Sequence, residues 1–333
     1  ATYIFDSDRW GSRFVAALAR ARARGVEVRV LVDAVGARYS FPSIIGALHH
    51  RKLRAARFNR TLLPWRWTYA NLRNHRKLLI CDGRVGFTGG LNIRAGHVLA
   101  DAPDHPVLDL HFRVAGPVVA QMTIAFAEDW SFATGERLAG PAWFPRPAAQ
   151  GEVFARAIID GPDADLHKLR WTVIAAIISA RRRVRIVTPY FLPENDLVAA
   201  MKMASLRGVE VQLVLPANNN QILVKWACDS LLHQVLECGV SVYKTEGPFD
   251  HAKVMVVDDS WTLFGSANLD PRSLRLNFEL DIEAYDEALA ARVHTLIDAR
   301  LTCATRITRE ALLGRGLARR LRDGVARLFI PYL

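Results

Sequence analysis

One pattern of eight residues occurs twice in this chain of 333 residues, and it constrains the fold more than any other feature. Residues 75–82 read HRKLLICD and are followed by GGLN at 89–92. Residues 251–258 read HAKVMVVD and are followed by GSAN at 265–268, with the same internal spacing. A lone His-x-Lys pattern would be a weak signal in a basic chain. Two complete copies predict a duplicated domain whose halves share one active site.

The sequence around the pattern is duplicated as well. Apolar residues at helical spacing over 14–24 and a strand-like run at 26–33 have counterparts in a helix at 197–207 and a run at 208–215. Strands that alternate with helices indicate an α/β fold, and we expect two tandem domains related by a pseudo-twofold axis, each a mixed β-sheet flanked by helices. The two domains are expected at residues 1–140 and 151–333, joined by a Gly-, Pro- and Ala-rich linker within 134–150.

The two halves differ at their beginnings. The second half opens with a helix predicted at 166–180 and a strand at 184–188, which leads into TPYF at 188–191. The chain itself begins at the matching TYIF of residues 2–5, with no helix or full strand in front of it. We therefore expect the natural protein to extend upstream and to supply the missing helix and part of an inner strand.

Alternation along a strand places the histidine and lysine of each copy on the same face. Residues i and i+2 of a strand point the same way, so His75 and Lys77 would face one site together. The apolar residues that follow them are typical of a central strand, and each asparagine comes where the chain leaves the sheet. The predicted catalytic residues are His75, Lys77, Asn92, His251, Lys253 and Asn268.

The aspartate that ends each copy is predicted to be structural. Asp82 and the glycine after it favour a two-residue hairpin turn. This turn would place Gly90 opposite His75, where a small residue leaves room for a substrate. Asp82 and its counterpart Asp258 would then lie at the far end of the strand from the histidines, too far away for catalysis.

The residue types of the site suit a phosphodiester. Two ammonium groups and two amides would stabilise the charge on its non-bridging oxygens. An unperturbed imidazole titrates at about pH 6.5, so one histidine can be neutral while the other is protonated. The neutral one can attack phosphorus, and the protonated one can donate its proton to the leaving alkoxide. A phosphohistidine intermediate would follow, and water or a second alcohol would then release the product.

No cofactor or metal is expected. Histidine and aspartate are metal ligands, but the paired lysines would repel a cation, and no carboxylate shares the histidine face. The four cysteines lack the spacing of a disulfide framework or a zinc site. The other histidines, His97 and His111 among them, have no such context, and we expect them to be ordinary surface or core residues.

The net charge of +11 predicts an anionic partner: nucleic acid, an anionic lipid surface or a phosphorylated substrate. Charge alone does not choose among these. No run of apolar residues approaches the roughly 18–20 that a membrane-spanning helix needs.

The duplicated motifs resemble the phospholipase D superfamily, whose signature is H-x-K-x₄-D with a downstream G-G/S-x-N. Further segments look like bacterial cardiolipin synthases, namely RGVEVR at 24–29, TPYF at 188–191 and GSANLDPRS at 265–273. The resemblance implies metal-independent phosphatidyl transfer between two phosphatidylglycerol molecules, which gives cardiolipin and glycerol. One departure lies close to the motif, because RAGH at 94–97 replaces an acidic pair of the family.

The resemblance also implies roles for individual residues. By the family pattern His75 would be the nucleophile and His251 the general acid and base, although the near-symmetry of the motifs leaves the reverse assignment open. The family places an acidic residue after each asparagine to orient the histidines. In this sequence Glu279 and Asp109 would be those residues.

Two segments are candidates for contact with a bilayer. Residues 312–333 interleave arginines with Leu, Val and Phe and predict a basic amphipathic helix that could lie on anionic lipid. The alternative is a terminal helix that packs on its own domain with a solvated arginine face. The stretch PWRWTY at 64–69 is suited either to the membrane interface or to a lid over the site.

Three functions remain. Phosphatidyl transfer to an alcohol is favoured, because the synthase-like segments extend beyond the catalytic motifs. Hydrolysis of phospholipid would use the same residues with water as acceptor. Cleavage or binding of nucleic acid is permitted by the charge, but no aromatic-studded basic groove or known nucleic-acid module supports it. We expect a peripheral protein on the cytoplasmic face of a bacterial inner membrane, with no obligatory protein partner.

Overall fold

A computed structural model of the chain describes residues 1–59 and 71–330. The helices of the first half are α1 (Arg9–Ala23), α2 (Ile44–His50) and α3 (Val118–Thr134). Its strands are β1 (Arg29–Asp33), β2 (Arg54–Phe58), β3 (Arg73–Asn74), β4 (Leu78–Cys81), β5 (Val85–Gly89), β6 (Val107–Leu108) and β7 (His111–Ala115). The PWRWTY stretch lies outside the described residues.

The second half repeats and extends this order. Its helices are α4 (Lys168–Ser179), α5 (Asn195–Leu206), α6 (Ile222–Glu237), α7 (Pro271–Arg275), α8 (Glu287–Leu301), α9 (Arg309–Leu313) and α10 (Leu317–Arg327). Its strands are β8 (Phe154–Asp160), β9 (Arg183–Val187), β10 (Glu210–Pro216), β11 (Ser241–Thr245), β12 (Phe249–Asp250), β13 (Val254–Val257), β14 (Trp261–Gly265), β15 (Asn277–Tyr285) and β16 (Ala304–Ile307).

Each half contains a mixed arrangement of strands. In the second half β9, β10 and β11 run parallel, while β13, β14 and β15 continue the sheet in antiparallel order from β9. The first half repeats these two parts as the parallel pair β1–β2 and the antiparallel set β4-β5-β7. Ala1 and Thr2 lie between them, with Ala1 bonded to Leu78 and Thr2 paired with Val32. The expected α/β fold, with helices flanking mixed sheets, is confirmed.

The hydrophobic core has two layers around the sheet of the second half. One face packs against α4, α5 and α6, and the other packs against α8 and against α3 of the first half. Neighbouring residues of a strand point to opposite faces, so Val256 and Val257 belong to different layers. The second layer is shared between the halves, and Phe112 stacks on Phe264 there with ring centroids 3.9 Å apart.

The hairpins that follow the two motifs differ from the predicted register. Leu78 pairs with Thr88 and Cys81 with Val85, so the pairing is shifted by one residue. The cause is a connection of three residues instead of two, in which Asp82 and Gly83 both adopt positive φ angles of 53° and 60°. The sequence placed His75 and Lys77 on a strand, whereas residues 75–77 join β3 to β4.

The aspartate of the second motif lies at its turn, in keeping with a structural role. The side chain of Asp258 accepts backbone N–H groups of Arg182 and Arg183 at 2.8 and 3.0 Å. These bonds tie the turn to the start of β9. Asp82 occupies the same place in the first hairpin, after β4.

Arg76 lies between the histidine and lysine of the first motif and points into the core. Only 2% of it is exposed, and its guanidinium donates to Asp129 Oδ1 on α3 at 2.7 Å. It also donates to the backbone oxygens of Glu279 at 3.0 Å and Asp160 at 3.3 Å. One buried cation therefore holds α3, β8 and β15 together behind the motif.

Replacing Arg76 with Met should lower the free energy of unfolding by about 3–5 kcal/mol, because the buried carboxylate of Asp129 loses its cation. Urea-induced unfolding followed by circular dichroism measures this change. The double variant Arg76→Met/Asp129→Leu is the matched control and should recover most of the loss, since both charges are then absent. A single variant as stable as the parent chain would contradict this account of the ion pair.

Candidate active site

The two motifs are positioned by strands that pair across the halves. β3 of the first half runs parallel to β15 of the second, and β12 of the second runs parallel to β6 of the first. As each strand ends, the backbone N–H of the motif histidine makes one more cross-half bond. His75 donates to Phe278 O at 2.9 Å, and His251 donates to Leu108 O at 2.7 Å. The residue after each acceptor is a carboxylate, which this pairing brings beside the histidine ring.

Each motif histidine is bonded to an acid of the opposite half. Nδ1 of His75 lies 2.9 Å from Glu279 Oε1, and Nδ1 of His251 lies 2.8 Å from Asp109 Oδ2. Both carboxylate side chains are fully buried. These are the acids that the resemblance implied. In the described part of the chain neither Nε2 has a hydrogen-bond partner, so Nε2 is the nitrogen that each ring can offer to a substrate.

The two carboxylates are held differently. Glu279 accepts bonds from Ser266 Oγ at 2.6 Å, Ser273 Oγ at 2.9 Å and Asn277 Nδ2 at 3.1 Å. Burial alone would raise the pKa of Glu279, but the adjacent His75 and these donors hold it below its usual value. Asp109 has fewer donors, and burial raises the pKa of this carboxyl. The acid behind His75 is therefore the more firmly ionised of the two.

The small residues of the downstream motifs lie against these carboxylates. A side-chain Cβ on Gly90 would lie 2.2 Å from Asp109 Oδ1, so only glycine fits there. Ser266 occupies the corresponding place in the second half and donates to Glu279 instead. The expectation that a small residue opposite the histidine leaves room for a substrate was wrong, because Gly90 makes room for the acid.

Both motif lysines are buried at the site. Lys77 is 2% exposed and its Nζ donates to the backbone oxygen of His75 at 2.6 Å, and Lys253, 4% exposed, makes the equivalent bond to the oxygen of His251. Burial, together with the charge of the other lysine, lowers the pKa of Lys77 to about 7. Burial lowers the pKa of Lys253 to about 8. An anion bound between these amines would favour their charged forms.

The histidines themselves are neutral in the protein alone. Burial lowers the pKa of His75, although the charge of Glu279 opposes this change. Burial and the two lysines lower the pKa of His251 further, well below its ordinary value. A neutral imidazole that donates Nδ1–H to a carboxylate keeps its lone pair on Nε2, which suits nucleophilic attack or proton transfer.

The asparagines that follow the two motifs are bonded differently from each other. Asn92 Oδ1 accepts the backbone N–H of Ile4 at 3.0 Å, which leaves its amide nitrogen as the donor. The backbone N–H of Asn268 donates to Ser273 Oγ at 3.1 Å, and its Oδ1 is buried without a protein partner among the described residues.

Two tyrosines that the sequence did not assign to the site form its walls. The ring of Tyr3 meets the edge of His75 at 5.2 Å, and that of Tyr190 meets His251 at 6.2 Å. They belong to the duplicated segments at 2–5 and 188–191, although they occupy neighbouring and not identical positions of the repeat. Phe249 also lies close to His251, at 5.8 Å between ring centroids.

His97, which the sequence did not assign to the site, lies beside His251. Its ring centroid lies 6.3 Å from that of His251, and its Nδ1 is buried without a partner in the described part of the chain. Burial lowers the pKa of His97 to about 3, so the ring is neutral. It belongs to the segment at 94–97 that departs from the family pattern. His111 is partly buried near the site, and this burial lowers its pKa to about 4.

Between residues 1–59 and 71–330, no group of three or more His, Cys, Asp or Glu side chains is arranged to hold a metal ion. The pairs described above use their carboxylates to orient histidines. The chemistry that these residues themselves offer is nucleophilic and acid–base, with two amines to hold an anion.

Comparisons with known proteins show which family this chain resembles. A family model described as "Cardiolipin synthase, PLD-like domain" matches residues 1–130 and 173–301. The chain is 33% identical to the cardiolipin synthase of Geobacillus kaustophilus over 336 residues, which cover 99% of the chain and 66% of that protein. It is 32% identical to the major cardiolipin synthase ClsA of Bacillus subtilis, covering 99% of the chain and 69% of that protein. The chain thus spans about two thirds of the length of these relatives.

A solved structure supports the fold. The crystal structure of phosphatidylserine synthase from Haemophilus influenzae Rd KW20 superposes with a TM-score of 0.74 at 15% sequence identity. The match covers 99% of this chain and 87% of that one. At this identity the likeness concerns the fold, and it includes both duplicated halves.

The lysine pKa values predict how the binding of an anion depends on pH. Tungstate keeps its double negative charge from about pH 6 to about pH 9, so the protein alone titrates over this range. Lys77 and Lys253 lose their protons as the pH rises through about 7 and about 8, and affinity for tungstate should fall about tenfold or more across these values. Isothermal titration calorimetry at a series of pH values measures the change.

Two variants control this measurement. The variant Lys77→Met should bind tungstate more weakly at low pH and should lack the fall in affinity at about pH 7. Lys202→Met, a change of an exposed lysine on α5, should leave the profile unchanged. Affinity that stays constant over the whole range would contradict the two lowered pKa values.

Proposed function

The chain belongs to the family of cardiolipin synthases with phospholipase D-like domains, and we propose that it is a phosphatidyltransferase that joins two phosphatidylglycerol molecules into cardiolipin and releases glycerol. The observation that carries this proposal is the reciprocal pair of bonds from His75 to Glu279 and from His251 to Asp109. Two histidines with oriented rings, beside two buried lysines, supply a nucleophile, an acid and an anion site in one place.

In the first step Nε2 of His75 attacks the phosphorus of one phosphatidylglycerol. The nitrogen–phosphorus bond forms while the bond from phosphorus to the headgroup glycerol oxygen breaks. For this step His251 takes up a proton on Nε2 from solvent when the anionic phosphodiester binds beside it, because a negative charge favours the protonated imidazole. That proton passes to the leaving oxygen, and glycerol leaves. Lys77 and Lys253 stabilise the negative charge on the non-bridging oxygens of the phosphoryl group.

In the second step a hydroxyl of another phosphatidylglycerol headgroup attacks the phosphohistidine. Its proton passes to Nε2 of His251, which is neutral after the first step, and the nitrogen–phosphorus bond breaks. The product is cardiolipin, and both histidines return to their starting protonation states. Water in place of the second lipid would give phosphatidic acid by the same route.

The surroundings of His75 support its assignment as the nucleophile. A phosphorylated imidazole that keeps its proton on Nδ1 carries a positive charge, which a nearby ionised carboxylate stabilises. Glu279 is that carboxylate, and its pKa is held low by His75 and by three further donors. His251, whose pKa is the more strongly lowered, would release a proton readily once it is charged.

The substrate class requires contact with a membrane surface. Both proposed substrates are anionic lipids of a bilayer, and the net charge of +11 favours such a surface. None of the described helices is both long and apolar enough to cross a bilayer. We propose peripheral attachment of this part of the protein, and the cytoplasmic face of a bacterial inner membrane stays a prediction.

Labelled phosphatidylglycerol tests the reaction, with the lipid products separated by chromatography. Cardiolipin and glycerol are the expected products. Phosphatidic acid alone would assign the chain to phospholipid hydrolysis, and cleavage of DNA without lipid turnover would assign it to the nucleases. The variants His75→Ala and His251→Ala should each lose turnover by about a hundredfold or more, because each removes one of two indispensable groups.

Folding of these variants is checked by their unfolding midpoints. His233→Ala, a change of a histidine on α6 that bonds to a backbone oxygen of its own helix, is the matched control and should retain activity. Near-parental turnover in His75→Ala or His251→Ala would refute the paired site.

The covalent intermediate can be located directly. After brief reaction with labelled phosphatidylglycerol and quenching in alkali, which preserves phosphohistidine, peptide mapping should find the phosphatidyl group on His75. The variant Glu279→Gln should accumulate much less of it, because the charge on the ring is no longer stabilised. Label on His251 would reverse the two roles.

A further inference from the structure

The last described helix, α10, packs on the protein through its polar side. Asp323 and Ala326 are its buried residues, and they face α6. Arg315 donates to Asp323 at 2.8 Å, and Arg322 donates to the same carboxylate at 2.6 Å. The guanidinium of Arg322 lies 4.4 Å from the centre of the Trp226 ring. A buried carboxylate with two arginines therefore anchors this helix.

The apolar side of α10 points outward. At 3.6 residues per turn, positions spaced by three and four lie on one side of a helix. The apolar residues at this spacing are Leu317, Leu321, Val325 and Leu328, which are 70%, 61%, 56% and 75% exposed. A helix on the surface of a globular protein usually buries such a stripe against the core. In α10 the usual orientation is reversed.

Arginines lie along the edge of the exposed stripe. Arg320 and Arg327 are both exposed, and no carboxylate among the described residues pairs with them. A helix with an apolar face and arginines along its edges has the composition of a segment that lies in the interface of an anionic bilayer. The leucines would enter the acyl boundary while the arginines meet lipid phosphates.

We propose that the outward face of α10 docks the protein on an anionic lipid bilayer. The link between this docking and catalysis rests on the proposed function. A second copy of the chain would cover the leucines, but it would bring more arginines and a further net charge of +11 against them. A bilayer of anionic lipid offers hydrocarbon and negative charge together, which matches both parts of the face.

The direction of α10 relates this face to the active site. Arg315 donates to Asp229 O at 3.1 Å, while Arg322, further along α10, lies on Trp226, which is nearer the start of α6. The two helices therefore run in opposite directions, and the exposed Leu328 lies toward the start of α6. Just before that start, Asn220 accepts a bond from the hydroxyl of Tyr190, the wall of the His251 side of the site.

Two exposed apolar residues lie at this end of α6. Ile222 and Leu223, at the start of α6, are 59% and 44% exposed. They follow the residue that holds Tyr190. A protein docked along α10 would therefore bring the rim of the site to the lipid surface, from which the proposed substrates enter.

Co-sedimentation with vesicles tests the docking face. The unmodified chain should bind vesicles of phosphatidylcholine that contain phosphatidylglycerol and bind much less to phosphatidylcholine alone. The variant Leu321→Gln/Leu328→Gln should bind the mixed vesicles about tenfold or more weakly, because two exposed leucines become polar. Equal binding by this variant, or binding that does not depend on phosphatidylglycerol, would overturn the proposal.

A matched control changes two exposed apolar residues outside α10. Phe154 and Leu296 are 80% and 38% exposed, and Phe154→Gln/Leu296→Gln should bind like the unmodified chain. Analytical ultracentrifugation without lipid follows the oligomeric state. A dimer that becomes a monomer in Leu321→Gln/Leu328→Gln would assign the face to a second copy and reject the bilayer.

A soluble substrate separates this proposal from the proposed function. Short-chain phosphatidylglycerol below its micelle concentration needs no docking, so Leu321→Gln/Leu328→Gln should turn it over at the rate of the unmodified chain. A lower rate would place the two leucines in the catalytic machinery and overturn the docking role. No turnover by the unmodified chain would refute the proposed function while the vesicle result still decides the docking face.

Discussion

The exchange of short strands between the two halves is the interaction on which the site depends. β3 lies beside β15 and β12 beside β6, and in both places a backbone bond from the motif histidine extends the pairing. The next residue in each acceptor strand is the acid that holds the histidine ring. Ring orientation, tautomer and the closeness of the two motifs thus follow from one repeated backbone geometry.

Buried charge sets the chemistry that this geometry makes possible. Two amines, two carboxylates and two imidazoles share a region from which water is largely removed, so each charge depends on its neighbours. Glu279 stays ionised because hydroxyl, amide and imidazole donors surround it, whereas the lysines are held near the point of losing their protons. A phosphodiester anion would supply the charge that keeps both amines protonated.

Sequence reasoning predicted what depends on local spacing. The duplicated motifs and the order of helices and strands followed from periodicity and repetition. Glu279 and Asp109 could not be found that way, because they are far from their histidines in the chain, and only the resemblance pointed to them. The hairpin register was missed because Asp82 and Gly83 suit a two-residue turn, whereas Arg84 also belongs to the connection. His97 was missed because its position depends on how a loop folds over His251.

The crossing of acids between halves also limits how the two copies can change. A substitution near Glu279 alters the histidine of the first copy, and one near Asp109 alters that of the second, so neither copy can drift alone at the shared site. Positions that face away from it are under no such restriction. Arg76 and Ala252 occupy the same place in the two motifs, yet one is a cation bonded to three elements and the other is a buried methyl group. The two halves are alike at the shared site, and they already differ at the residue that follows each motif histidine.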